Sequence, residues 1–120
     1  MKIKEGNIVL EKAYSFAQRI VKLYKYLTEE KHEYIISRKL LDDGIEISGQ
    51  IKGAQEAESH EMFTREMSTA LRKCSKTDLW LQLLFDGGYL DQPQFDSMDA
   101  DNQELFRLLT AIVKSAKGKR

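Results

Sequence analysis

Leu40 to Ala57 reads LLDDGIEISGQIKGAQEA. Apolar residues at Leu40, Leu41, Ile45, Ile47, Ile51, Ala54 and Ala57 recur at a mostly helical spacing. Three glycines, Gly44, Gly49 and Gly53, interrupt what otherwise reads as one helix. A glycine in a helix interior costs roughly 1 kcal/mol relative to alanine. The pattern is coherent if packing gains from the missing side chains. Gly49, Gly53 and Ala57 stand four apart and line one helical face. The spacing therefore predicts close packing of a neighbouring helix against these three residues, with the helix that follows directly as the first candidate. A kinked or weak helix end is the other reading of the same residues.

Working outward, apolar stripes of helical period flank this stretch on both sides. Before it, Val9, Ala13, Phe16, Ile20, Tyr24 and Leu27 form one stripe, opened by Asn7 as a good N-cap and closed at the polar run 28–32. The next helix resumes around Glu33, with Tyr34, Ile36, Leu40 and Leu41 leading into the glycines. After it, Ser59 caps a helix carrying Phe63, Met67, Ala70, Cys74, Thr77, Leu81 and Leu84, and Gly87 and Gly88 stop it. Asp91-Gln92-Pro93-Gln94 supplies a capping aspartate, a glutamine three residues on and a proline in the first turn. The last stripe is Phe95, Met98, Asn102, Leu105, Leu109, Ile112 and Ala116. Asn102 is polar on that seam, either buried and fixing register or at a wet edge. The expected architecture is an all-α, antiparallel up-down-up-down four-helix bundle in one domain, residues 1–120, with helices over 7–29, 33–58, 60–86 and 92–117.

Composition narrows the function classes. The chain has 120 residues, 42% of them apolar, enough for one packed domain and too few for two. Lys and Arg total 19 against 19 Asp and Glu, which argues against a dominantly electrostatic nucleic-acid binder but leaves room for local patches. The charge is unevenly placed: residues 107–120 hold five bases and no acids, residues 86–104 six acids and no bases. Antiparallel helices bring both termini to one end, gathering Lys2, Lys4, Lys114, Lys117, Lys119 and Arg120 there. The helix dipole favours the same placement. Arg19, Arg65 and Arg72 add candidate phosphate contacts on helix sides, diluted by Glu61, Glu66 and Asp78; a solvated helix face is the bland alternative.

Cys74 is the single cysteine, so no intrachain disulfide or cysteine metal cluster forms; on an apolar stripe it reads as a small core residue. Glu29-x-x-His32 matches one element of a di-iron bundle, but the required second element is missing. No phosphate loop or dinucleotide fingerprint is present. These features point away from an enzyme, a cofactor, a metal site and a small-molecule substrate. The N-terminus lacks a signal-peptide run, and Leu79–Phe85 falls far below the ~20 residues a membrane span needs, so the expectation is a cytoplasmic protein with no membrane partner. Leu79, Trp80, Leu83 and Phe85, with Phe106, Leu108 and Val113, lie off the expected core. Such surplus apolar surface predicts a homo-oligomer with Trp80, Leu83 and Phe106 at or near the contact.

The segments NIVLEKAYSFAQRIVKLYKYL, the LL-x-x-G-x-x-I-x-x-x-I run through Leu40, Gly44, Ile47 and Ile51, QEAES, the Trp80–Leu90 segment and LLTAIVKSAK resemble the four-helix-bundle family of proteins encoded in intervening sequences of bacterial 23S ribosomal RNA genes. That family is in turn similar to the accessory variability determinant of diversity-generating retroelements. The resemblance implies a ring-shaped homopentamer, and RNA or a ribonucleoprotein as partner; it carries over no catalytic residue. Where the family's second helix reads Ser-Ile-x-x-Asn-Ile-x-Glu, this chain has Glu46, Gln50 and Gly53 in place of the serine, asparagine and final glutamate, and it is neutral where the retroelement proteins are basic.

Overall fold

The computed structural model describes residues 7–118. Four helices make up the fold: α1 (Ile8–Glu29), α2 (Ile36–Gln55), α3 (His60–Asp86) and α4 (Gln92–Lys117). Each packs on its neighbours in the ring α1–α2–α3–α4–α1, with no diagonal pair in contact among the described residues. The result is an all-α bundle, 47 × 27 × 22 Å, and α1 and α4 meet least. Short connections make successive helices antiparallel, so the starts of α1 and α3 and the ends of α2 and α4 share one end, called here the base.

The caps explain where the helices begin. The Asn7 side chain accepts the Leu10 N–H, Ser59 accepts that of Met62, and Asp91 and Gln94 form a full capping box with Pro93 in the first turn. Gly88 ends the α3 exit with φ +84°, a conformation glycine adopts without strain. The helix expected over 33–58 is shorter than the spacing predicts. Glu33 is buried and stays outside the helix, where its carboxylate accepts the backbone N–H groups of Ile35, Ile36 and Ser37. It thus satisfies donors that a helix start otherwise leaves orphaned. At the far end the chain departs the helix after Gln55, so Ala57 is not part of α2.

Burial alone would raise the Glu33 pKa, but the three backbone bonds and the Ser37 hydroxyl outweigh it and hold the carboxyl below its ordinary value of 4.5. A folded-state value below the unfolded one contributes stability above pH 4.5 that disappears as the pH falls through the lowered value. Protection of the Ser37 and Leu40 amides, relative to their intrinsic exchange rates, is expected to fall in that acid window, and Glu33→Gln to show the lower protection already at neutral pH. Equal exchange in both proteins at pH 7 rejects the capping role.

The stripes build one core, in which Phe16, Ile20, Leu27, Leu40, Ile47 and Ile51 are fully enclosed with Met67, Leu81, Leu84, Leu105 and Leu109. Val113 joins this core, against its expected place outside it, and Phe85 is half-buried, stacked on Phe95 with ring centroids 4.8 Å apart. The close approach of helices falls at Gly44, not at Gly49. A Cβ on Gly44 would lie 2.9 Å from Ile20 Cγ1 of α1, whereas one on Gly49 would meet nothing within 4 Å. Gly49 faces outward because it stands two residues past the core residue Ile47. Gly53 faces α3, and the carboxylate of Glu66 fills the space its side chain would take. Opposite signs follow for one substitution. Gly49→Ala is expected to stabilise by about 0.5–1 kcal/mol through helix propensity. Gly44→Ala is expected to cost about 1–3 kcal/mol through overpacking against Ile20. Urea titrations of the two variants check this, and a gain at Gly44 overturns the packing account.

Two polar clusters tie the helices together. Asn102 is buried, not at a wet edge: its Nδ2 donates to the Cys74 carbonyl at 3.1 Å, and the Cys74 thiol donates to Asn102 Oδ1 at 3.1 Å. Burial and the charge of Asp78 push the Cys74 pKa up to about 12, so the thiol keeps its proton. Between α2 and α3, Asp43 accepts the Trp80 indole N–H at 2.7 Å and Lys73 at 3.3 Å, and Lys73 also meets Glu46 at 3.3 Å. Burial opposes the Lys73 charge, but these two carboxylates overcome it and raise its pKa above 10.5.

Candidate nucleic-acid interface

Arg65, Arg72 and Lys76 follow one another at spacings of seven and four along the outer face of α3, so they share one side of the helix. Near the base that side meets the last turns of α4, which carry Lys114 and Lys117. There a surface cavity of about 600 Å³ brings Arg65, Arg72 and Lys117 together with His60, Thr64 and Ser68. Glu61 also lines it, as the one acid, and reaches Arg65 only at 3.9 Å. Arg72 Nη2 donates to Thr69 at 3.0 Å, which orients the guanidinium and leaves its other donors. His60 Nε2 donates to the Ala116 carbonyl at 2.8 Å, pinning the start of α3 to the end of α4. That bond satisfies one of the carbonyls a helix end leaves free.

Positive side chains therefore collect where two features coincide. The last turn of α4 favours cations electrostatically, and the α3 register turns two arginines onto the same side. Arg19 does not join them. It spans the α1–α4 seam, donating to Asp101 Oδ2 at 2.6 Å, to the Ser97 hydroxyl at 2.6 Å and to the Ser97 carbonyl at 3.2 Å. Three of its five donors are used within the subunit and its charge is paired with Asp101, and Lys12–Glu104 at 3.0 Å bridges the same seam. Lys2, Lys4, Lys119 and Arg120 lie outside the described residues. Among the described residues no group of three or more His, Cys, Asp or Glu side chains is placed to hold a metal ion, and no helix is long and apolar enough to cross a membrane.

The surplus apolar residues divide between two places. Leu79 and Leu83, 51% and 41% exposed, occupy the last turns of α3 at the end opposite the base. Tyr34 and Ile35, 60% and 73% exposed, lie at the start of α2 at that same end. Trp80, beside Leu79 in α3, is half-buried, its N–H bonded to Asp43 and its ring under the Lys39 ammonium at 5.8 Å. Its polar edge is thus satisfied inside the subunit. Phe106 is exposed on α4 one turn past Asn102, towards the base and away from Leu83. It does not share a patch with the two leucines. Sequence reasoning missed Tyr34 and Ile35 as surface residues because it carried α2 back to Glu33. It also missed His60 as the tie at the base.

Residues 5–111, nearly the whole described bundle, match the 23S rRNA-intervening sequence proteins. The chain belongs to this family. A crystal structure of a protein of unknown function from the S23 ribosomal protein family of Bacteroides thetaiotaomicron is 36% identical, superposes with a TM-score of 0.89, and is aligned over 90% of this chain and 96% of its own. No protein of curated function matches. As a 23S rRNA-intervening sequence protein the chain is expected to differ from its family at Glu46, Gln50 and Gly53, and two of these positions have defined surroundings. Glu46 is engaged by Lys73, and the carboxylate of Glu66 packs where a side chain on residue 53 would stand. One Glu66 oxygen is buried without a hydrogen-bond partner there.

Proposed function

We propose that this chain acts as a non-enzymatic, homo-oligomeric helical bundle that binds structured RNA or a ribonucleoprotein through the basic surface where α3 meets the end of α4. The observation that supports this is the convergence of Arg65, Arg72 and Lys117 on one cavity lined by hydroxyls. Guanidinium and ammonium groups contact phosphate oxygens, and flanking hydroxyls add hydrogen bonds that position the backbone. A single subunit offers few such contacts. Repetition around an oligomer multiplies a modest affinity, because binding at the second patch is intramolecular. The family resemblance favours a pentamer, and the cytoplasm is the proposed place of work.

Purification of the tagged protein with and without nuclease tests this reading. RNA enriched over a charge-matched control, lost on nuclease treatment and released by added salt, is the expected result. No enrichment rejects it.

The exposed end formed by Tyr34, Ile35, Leu79 and Leu83 supports the oligomer and also favours the second reading, a scaffold for another polypeptide. An apolar contact responds little to salt, which separates the two. Light scattering at micromolar concentration is expected to give an oligomer, and Leu79→Glu with Leu83→Glu to give a single subunit of 13.9 kDa. A wild-type monomer removes the oligomer from the proposal.

A further inference from the structure

The basic cavity has a neighbour. A second cavity of about 420 Å³ opens at the base, lined by Phe63, Ala111, Ile112 and Ser115 together with His60 and Ala116. His60 and Ala116 line the basic cavity too, so the 2.8 Å bond between them forms the wall the two share. One side of that wall is apolar and carries an aromatic ring; the other carries two guanidiniums, an ammonium and hydroxyls. We infer that the two cavities form one bipartite site for an unpaired nucleotide of RNA, with the base held against Phe63 and Ile112 and its phosphate held by Arg65, Arg72 and Lys117.

This rests on the RNA-binding reading above and makes it specific. A base in a duplex is stacked and paired, and its faces are closed to protein side chains. An unpaired or terminal nucleotide presents a π-face to an aromatic ring while its phosphate remains beside it. Charge complementarity selects this occupant over an apolar peptide, because the apolar slot opens beside cations. The site carries few groups that read base edges: His60 Nε2 is already spent on Ala116, and Ser115 supplies a single hydroxyl. The expected selectivity is therefore for single-stranded over paired RNA, with little preference among bases.

Binding of the full-length protein to a short oligouridine and to an RNA duplex of equal charge, measured at matched salt, tests the assignment. The expected result is a single-strand preference of about tenfold, the order of one stacked base. Ala111→Trp fills the slot from an exposed position on α4 and is expected to bring the ratio to one. Uridine monophosphate is expected to shift the Phe63 ring resonances of the wild-type protein in proportion to occupancy. Equal affinity for both RNAs, with Ala111→Trp changing nothing, overturns the bipartite site and leaves the RNA-binding reading standing. Contacts from the Phe63 ring to the chain's own residues 1–6, undisturbed by the nucleotide, also overturn it. No binding to either RNA ends both.

Discussion

Replacing Arg65, Arg72 and Lys117 together with alanine is expected to weaken RNA binding about a hundredfold at about 0.1 M salt. The size follows from counterion release. Each phosphate contact contributes a slope of roughly 0.7–0.9 in the dependence of log affinity on log salt, so three contacts are worth about two decades between about 1 M and about 0.1 M salt. The slope itself is expected to fall by about two to three when the triple variant is compared with wild type. Folding should be little affected, because Arg65 is exposed and its ion pair to Glu61 is long. Arg19→Ala provides the contrast. Arg19 already pairs its charge with Asp101 and bonds Ser97, so its loss is expected to loosen the α1–α4 seam and leave the salt slope unchanged. Filter binding at four or five salt concentrations reads both quantities. A triple variant with the wild-type slope places the phosphate contacts elsewhere and refutes the assigned surface.

Asn102→Ala is expected to destabilise the bundle by about 2–4 kcal/mol, the combined effect of a cavity and of buried groups left without partners. For a domain of this length that is a fall in melting temperature of roughly 10 °C. The Asn102 amide is almost fully enclosed and bonds only across to α3, through the Cys74 carbonyl and thiol. Burial and Asp78 keep the thiol protonated, so it remains a donor throughout the neutral pH range. Asn102→Leu separates packing from polarity. The leucine refills the space and is expected to recover much of the melting temperature. It also removes the buried bond pair that helps resist sliding of α4 along α3, leaving the tie at His60 and Ala116 and the Gln103–Asp78 bond, since apolar surfaces tolerate several registers. Broadened amide resonances in α3 and α4 of the leucine variant are the expected signature. A melting temperature for Asn102→Ala within about 2 °C of wild type shows that the pair carries no stability.

The helices were legible because amphipathic period and capping chemistry are local. Asn7, Ser59 and the Asp91–Gln94 box each act within one turn, so the residues that start a helix stand beside it in the chain. The second helix shows the limit of such reading. Glu33 looks like a helical residue by spacing, yet its carboxylate reaches forward to three backbone N–H groups and keeps it outside. Nothing in a 3.6-residue period distinguishes a residue in the helix from one that caps it from below. The glycines show the same limit in another form. Spacing says which glycines share a face; only the neighbouring helix says which face is closed, and Ile20 closes it at Gly44.

The candidate site divides along the same line. By itself the sequence determined an all-helical bundle, a stripe of buried side chains on each helix and a surplus of bases at the end of α4, because hydrophobic period and charge order are written residue by residue. Only the tertiary structure decided which cations remain available. Arg19 and Arg65 look alike as letters, but pairing across the α1–α4 seam occupies one, while the α3–α4 contact at His60 and Ala116 sets the other beside Arg72 and Lys117. Partners separated by some 50 to 80 residues in the chain set these roles, and such pairings depend on how the helices are rotated and offset against one another, which no local pattern encodes.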